Sequence, residues 1–172
     1  GIIMQVLAVR SPCIVNNLTT VNSPALPIGL AYIVAAIKDI VDVEAIDPIA
    51  GKPLISDVTP FTKGTSILGL TPDETINMIK KKPDVCLFSS MFSLEWPVAK
   101  ILINLIKEKF PDCIIVGGGE HFTALPEYSL ENSSLDLCVI GEGEATIRDL
   151  MERMIAGVKI PLDVPGTVVR DP

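Results

Sequence analysis

Cys113-Ile114-Ile115-Val116-Gly117-Gly118-Gly119-Glu120-His121 is the stretch that decides the fold. Its first four residues are apolar and three of them are β-branched, so the run is too short for a helix and predicts a strand buried on both faces. The glycines that follow offer backbone, rather than side chain, to an approaching ligand. Because open parallel sheets bind ligands outside the carboxyl ends of their strands, we expect residues 117–119, the glycine edge, to form part of a cofactor pocket.

Strand and helix patterns alternate along the rest of the chain. Apolar or alternating runs predict strands over residues 2–9, 41–46, 84–89, 113–116 and 136–140. Helical spacing and end signals predict helices over residues 27–39, 71–82, 94–110 and 144–156. This alternation predicts an α/β protein with a flavodoxin-like, Rossmann-like, doubly wound five-stranded parallel sheet. We predict the strand order 2-1-3-4-5, because the first, third and fourth strands are the most apolar and would then be central.

The predicted elements form one domain over residues 1–157. Residues 158–172 hold three prolines and a glycine and predict a linker. The loop over residues 10–26 is long for a strand-to-helix connection, which makes it a candidate ligand cover. Residues 47–70 show little sign of regular structure.

Composition excludes some classes of function. The chain has 172 residues and a formal net charge of −7, which argues against a nucleic-acid surface. No apolar stretch reaches the roughly 18 residues of a membrane helix, and no secretory signal is visible. The four cysteines lack metal-binding spacing, and three of them lie in apolar runs. We therefore expect a cytoplasmic protein without a disulfide framework, a membrane segment or a nucleic-acid partner.

The glycine edge and the histidine beside it are the first candidate site residues. The three glycines do not match a GxGxxG dinucleotide fingerprint, and they follow the fourth strand rather than the first. Ligand contact and turn geometry are both open explanations for them. His121, the only histidine, could act as a base or a metal ligand, but a structural or pocket-lining role is favoured because no second histidine exists.

Three further groups fall at predicted strand ends. Gly141-Glu142-Gly143-Glu144 places carboxylates at the amino end of a helix, where the dipole favours negative charge. Asp47 could bind a sugar hydroxyl or serve as the turn residue before Pro48. Ser89 and Ser90 could reach a ligand or cap the next helix.

In their order along the chain, these pieces resemble the amino-terminal cobalamin-binding domain of B12-dependent radical SAM proteins, a group that includes the anaerobic magnesium-protoporphyrin monomethyl ester cyclase. The matching pieces are Pro27-Ile28-Gly29-Leu30-Ala31-Tyr32, Asp47, Pro83-Asp84-Val85, Phe88-Ser89-Ser90-Met91, Val116-Gly117-Gly118-Gly119-Glu120-His121, Thr123-Ala124, Pro126-Glu127, Gly141-Glu142-Gly143-Glu144 and Val164-Pro165-Gly166-Thr167.

The resemblance implies a domain that holds cobalamin by its nucleotide tail over the carboxyl ends of the strands. It implies tail contacts from Ser89, Ser90, Gly117 and Gly118. The full cofactor-binding set that we predict is Asp47, Ser89, Ser90, Met91, Gly117, Gly118, Gly119, His121, Gly141, Glu142 and Gly143.

Two departures from related patterns limit what this chain does by itself. Other cobalamin domains use Asp-x-His-x-x-Gly to place a histidine on cobalt, whereas Asp47-Pro48-Ile49-Ala50-Gly51 contains no histidine. No CxxxCxxC motif is present, so the 4Fe-4S cluster and S-adenosylmethionine would belong to a carboxyl-terminal catalytic domain absent from this sequence. We therefore expect a non-catalytic module of a methyltransferase or an oxidative cyclase, with cobalamin and that catalytic domain as its partners.

Two other functions are kept as alternatives. A flavodoxin-like regulatory or interaction domain would bind no tetrapyrrole. A receiver domain would have an acidic cluster after the first strand, where this chain has Arg10-Ser11-Pro12. A flavin or nucleotide site at the same edge is the third hypothesis.

Overall fold

The computed structural model describes residues 3–17 and 28–170. The strands are Gln5–Arg10 (β1), Cys13–Asn16 (β2), Asp42–Ile46 (β3), Thr59–Pro60 (β4), Thr65–Leu68 (β5), Val85–Ser89 (β6), Ile114–Gly118 (β7), Leu137–Val139 (β8) and Thr167–Val169 (β9). The α-helices are Ile28–Ile37 (α1), Pro48–Gly51 (α2), Pro72–Met78 (α3), Trp96–Lys109 (α4), Glu120–Ala124 (α5), Pro126–Glu131 (α6) and Glu144–Ile155 (α7). Short 3-10 turns occupy Ile55–Asp57 and Ser93–Glu95.

The main sheet of the described chain has six strands in the order β3-β1-β6-β7-β8-β9. The first five are parallel to one another, and β9 runs antiparallel to β8. These five are the strands expected from the sequence, and their order is the predicted 2-1-3-4-5. The prediction of a purely parallel, five-stranded sheet missed the sixth, antiparallel strand.

That sixth strand lies in the range predicted to be a linker. Thr167 pairs with Val139 and Val169 pairs with Leu137, while Val164 is 4% exposed and belongs to the core. The prediction missed this because Thr167-Val168-Val169 is too short a run to stand out among prolines. The linker assignment is therefore wrong for this part of residues 158–172, which packs against the domain.

A second, smaller sheet has the order β2-β5-β4 with antiparallel pairing. It corrects two predictions, because β2 lies in the expected 10–26 loop and β4 and β5 lie in the stretch expected to be irregular. These strands have four residues or fewer, and β2 depends on distant pairing with β5, such as Cys13 with Leu68. Residues 18–26 of that loop and the expected helix start at Pro27 lie outside the described residues.

Helices cover both faces of the main sheet. Strand side chains alternate in direction, so that Leu7 and Phe88 pack into one cluster with α4, whereas Val6 and Val116 pack into another with α1 and α7. The predicted start of α3 is confirmed, because Thr71 and Glu74 form a reciprocal capping box. In the described ranges, no helix is both long and apolar enough to cross a bilayer.

Candidate functional site

The carboxyl ends of β6, β7 and β8 surround a cavity of about 160 Å³, called here the edge cavity. α1 and the beginning of α7 complete its wall. Seven residues predicted from the sequence line it: Ser89, Met91, Gly118, Gly119, Gly141, Glu142 and Gly143. Five lining residues were not predicted: Gly29, Ile33, Val139, Glu144 and Ile147. The predicted alignment of strand ends thus brings most of the candidate residues together.

Each glycine of the glycine edge has a different surrounding. A Cβ atom on Gly117 would lie 2.9 Å from the ring of Phe122, so this glycine makes room for core packing. Gly119 has a φ of 103°, and a Cβ there would lie 2.6 Å from the carbonyl oxygen of Ser90. A Cβ on Gly118 would meet no atom within 4 Å. Gly118 is therefore the position at which the edge leaves space on the cavity side.

The loop after β6 divides its residues between the cavity and the interior. Ser89 and Met91 line the cavity, whereas Ser90 between them is fully buried. The backbone N–H of Ser90 donates to the carbonyl of Gly118 at 3.1 Å, and its carbonyl accepts from the N–H of His121 at 3.3 Å. Its hydroxyl donates to Oε2 of Glu95 at 3.0 Å. Ser90 thus lies behind the cavity wall, and its contact with a ligand stays a prediction.

Glu95 is a buried carboxylate that sequence reasoning missed. It is 7% exposed, and burial raises its pKa above the ordinary value of 4.5, although the hydrogen bonds from Ser90 and Cys13 oppose the shift. The same environment raises the pKa of Cys13 to about 12, through burial first and the Glu95 charge second. A single carboxylate between Leu94 and Trp96 carries no pattern that would reveal its burial.

His121 is buried rather than cavity-lining. Its ring stacks on Trp96, with centroids 4.8 Å apart and an angle of 18° between the planes. Nε2 lies 3.0 Å from Oγ of Ser129, whose proton goes to the carbonyl of Leu125, so Nε2 is the protonated nitrogen. Nδ1 then accepts from the hydroxyl of Ser93 at 3.1 Å. Burial lowers the pKa of His121, which favours this neutral form. Both ring nitrogens are therefore occupied within the domain.

Asp47 has a structural environment away from the edge cavity. Its carboxylate forms a two-point ion pair with Arg10, with both N···O distances 3.0 Å, and caps α2 through the N–H of Ile49. It borders a larger groove of about 360 Å³, the α1 groove, whose other lining residues are Leu30, Ala31, Val34, Ala35, Lys38 and Ala45. That lining is almost entirely aliphatic, so it offers few partners to a polar ligand.

The segment over residues 141–144 forms the cavity wall beyond β8. Gly141 has a φ of 77°, and its N–H donates to Oγ1 of Thr123 at 2.9 Å. α7 begins at Glu144, the last residue of this segment, and the first N–H groups of a helix have no partners within the helix. This wall therefore combines backbone donors with the carboxylates of Glu142 and Glu144, which suits hydrogen bonding to a polar ligand.

The edge cavity as a whole has the character of a binding site. Its lining joins glycine backbone, the hydroxyl of Ser89, two carboxylates and aliphatic side chains. Among residues 3–17 and 28–170, no group of three or more His, Cys, Asp and Glu residues could hold a metal ion. The arrangement can bind and orient a partly apolar molecule through backbone and shape.

Comparison with known proteins agrees with this character. The profile of the B12 binding domain matches residues 15–151. The chain is 29% identical over 158 residues to an uncharacterized methyltransferase of Pyrococcus horikoshii. The matched region covers 90% of this chain and 30% of that protein. It is 30% identical over 152 residues to cytidylyl-2-hydroxyethylphosphonate methyltransferase of Streptomyces wedmorensis, with 84% of this chain and 27% of that protein covered.

The fold is also that of part of a solved enzyme. The radical S-adenosylmethionine methyltransferase TsrM of Kitasatospora setae, solved with cobalamin and a 4Fe-4S cluster, matches with a TM-score of 0.66 at 19% identity. The match covers 98% of this chain and 27% of that one, so the chain spans less than a third of each of these proteins. Because the family profile covers well over half of its residues, this chain belongs to the B12-binding domain family, and its cofactor is cobalamin.

Proposed function

We propose that this chain is the cobalamin-binding domain of a larger B12-dependent radical SAM methyltransferase. Both curated relatives are methyltransferases, and each is more than three times as long as the part that matches. This favours methyl transfer over the oxidative cyclisation that the resemblance also allows. The catalytic domain, with its cluster and S-adenosylmethionine, would be supplied by the rest of such a protein.

Within this domain, we propose that the nucleotide tail of cobalamin enters the edge cavity. The cavity of about 160 Å³ is smaller than the roughly 300 Å³ of a pocket for a whole drug-sized ligand, so only part of a cobalamin can be enclosed. Residues 89, 91, 118, 119 and 141–143 would hold that part. When bound, cobalamin supplies alkyl-transfer chemistry that protein side chains lack, and this chain binds and orients it.

The observation that carries this proposal is the open space at Gly118. Its φ is not positive, so neither local strain nor packing explains the missing side chain. A flat aromatic base passing close to the backbone does explain it, because any Cβ would occupy that path. The residues present therefore fit the tail of the cofactor.

Titration with hydroxocobalamin, followed by absorbance, tests the binding function directly. We expect a saturable spectral change with the folded domain. A domain that is folded by circular dichroism but shows no change at high micromolar cobalamin would overturn the proposal.

Gly118→Val tests the placement of the tail. The new side chain starts in open space beside the edge cavity, since a Cβ atom on Gly118 would meet no protein atom within 4 Å, so we expect affinity to fall at least about tenfold while the free energy of unfolding changes by less than about 0.5 kcal/mol. Gly118→Ala should give an intermediate loss. Ala35→Val adds two methyl groups to the α1 groove and serves as the matched control, with affinity unchanged. Equal affinity for Gly118→Val and wild type would show that the nucleotide tail does not bind beside Gly118.

A further inference from the structure

Glu95 is buried behind the edge cavity, and no described residue forms an ion pair with it. It lies between Leu94, which is 68% exposed, and the buried Trp96. Burying a carboxyl group is unfavourable unless hydrogen bonds compensate. An apolar residue of similar size would avoid this penalty, so the carboxylate calls for a specific explanation.

The carboxylate joins two separate parts of the fold. Oε2 accepts from the hydroxyl of Ser90 in the loop after β6, and Oε1 accepts from the thiol of Cys13 at 3.4 Å. Cys13 is the first residue of β2 in the small sheet. Glu95 also closes its own turn, since its N–H donates to the carbonyl of Phe92 at 3.0 Å. The small sheet is thereby tied to the loop that forms one wall of the edge cavity.

Ser90 transmits this restraint to the cavity. Its two sequence neighbours, Ser89 and Met91, line the cavity, and its backbone is hydrogen-bonded to both Gly118 and His121. The carbonyl oxygen of Ser90 also packs closely against the backbone of Gly119. If Ser90 shifted, the loop and the glycine edge would move with it.

We infer that Glu95 is a positioning residue, which holds Ser90 so that Ser89, Met91 and the glycine edge keep the shape that the cofactor requires. His121 restrains the same loop from the other side, because its Nδ1 accepts from the Ser93 hydroxyl. Glu95 itself does not line the cavity and acts only through Ser90. The inference rests on the cobalamin-binding function proposed above.

Affinity measurements on two substitutions test this role. Glu95→Ala removes the acceptor for Ser90, and we expect cobalamin to bind about tenfold more weakly, the equivalent of one hydrogen bond. Glu95→Gln keeps an acceptor oxygen, so it should bind within about threefold of wild type, well short of the tenfold that one lost hydrogen bond represents. Glu108→Gln, on the exposed side of α4, makes the same change in net charge and should leave affinity unchanged. Wild-type affinity in Glu95→Ala would overturn the inference.

A double-mutant cycle separates positioning from direct contact. If the Ser90 hydroxyl serves only to hydrogen-bond Glu95, then Ser90→Ala and the double variant with Glu95→Ala should lose the same affinity as Glu95→Ala alone. If instead Ser90 contacts the cofactor, its substitution will cause a further loss in the Glu95→Ala background. That additive result would contradict the inference. Ser90→Ala also serves as the second variant if Glu95→Ala does not fold.

Hydrogen exchange in the absence of cobalamin tests the restraint independently of binding. The N–H groups of Ser90 and His121 are the donors that the restraint protects. We expect their exchange to be about tenfold faster in Glu95→Ala and unchanged in Glu95→Gln. Unchanged exchange in Glu95→Ala would refute the restraint even if cobalamin binds. Failure of wild type to bind, with altered exchange in the variant, would refute only the proposed function.

Discussion

A methyl group placed on Gly118 would point into the edge cavity, whereas one placed on Gly117 would press on the ring of Phe122. On Gly119 it would meet the carbonyl of Ser90 in a backbone conformation that disfavours any side chain. Adjacent and chemically identical residues thus differ in role: Gly117 makes room for core packing, Gly118 leaves open space beside the cavity, and Gly119 sets the direction of the chain. Of the two explanations left open by the sequence, turn geometry is confirmed for Gly119, whose φ is 103°, whereas ligand contact at Gly118 stays a prediction.

At the residue scale, Glu95→Gln should change how stability depends on pH. Burial raises the pKa of Glu95, so the folded protein holds this proton more tightly than the unfolded chain does. The carboxyl group therefore stabilises the fold most below its ordinary pKa of 4.5, and that contribution is lost as pH rises through the folded-state pKa. We expect the free energy of unfolding of Glu95→Gln, relative to wild type, to increase across that range.

Urea denaturation at a series of pH values measures this difference. Glutamine keeps the volume of the side chain and an acceptor for Ser90, so the comparison isolates the ionisable proton. A difference between variant and wild type that stays constant with pH would contradict the expected direction.

The sequence could predict which backbone positions meet at the edge cavity, but not which side chains face it. Gly118, Gly141 and Gly143 follow from strand ends that parallel pairing must align. Glu95 is buried against Cys13 of β2, and the neutral ring of His121 is hydrogen-bonded at both nitrogens, to Ser93 and Ser129. Tertiary packing brings these partners together. No local pattern carries that information, and so His121 was expected at the cavity wall and Glu95 was overlooked.

At the scale of elements, removal of residues 164–172 should destabilise the domain. Val164 is buried and β9 pairs along β8, so the truncation exposes apolar surface and leaves an unpaired edge. We expect the free energy of unfolding to fall by at least about 2 kcal/mol, since full burial of one valine contributes about 1.5–3 kcal/mol. Circular dichroism during chemical denaturation measures the change.

Leu162→Ser provides the control for this truncation. Leu162 lies in the same tail but is 76% exposed, so its substitution should change stability by less than about 0.5 kcal/mol. If the truncated chain were as stable as the full one, the assignment of this range to a linker would be restored.

The five parallel strands and the small sheet show why some elements were predictable and others were not. β1, β6 and β7 have five or six residues each, and all of them are buried or partly buried, which is the pattern of a central strand. β2 and β5 have four residues each, and their pairing joins segments about fifty residues apart. Their stability comes from that pairing, which a reading of local periodicity does not detect.

At the scale of the whole molecule, cobalamin should stabilise the folded domain by mass action. A ligand that binds only the folded state at one hundred times its Kd contributes about 2.7 kcal/mol. For a chain of 172 residues, we expect Tm to rise by roughly 5 to 10 °C. Scanning calorimetry with and without hydroxocobalamin measures the shift, and Gly118→Val, which should bind at least about tenfold more weakly, should show at most about half of it at the same ligand concentration. An unchanged Tm for wild type at saturation would contradict cobalamin binding.

Trp96 is the only tryptophan of the chain, and it lies next to Glu95 with its ring stacked on His121. The domain thus has a single indole beside the loop that forms one wall of the edge cavity. A corrin absorbs light in the range where indole emits, so a cobalamin held at the glycine edge would quench this emission by energy transfer. Trp96, which stacks on His121, therefore also reports whether the cofactor is bound, without any added label.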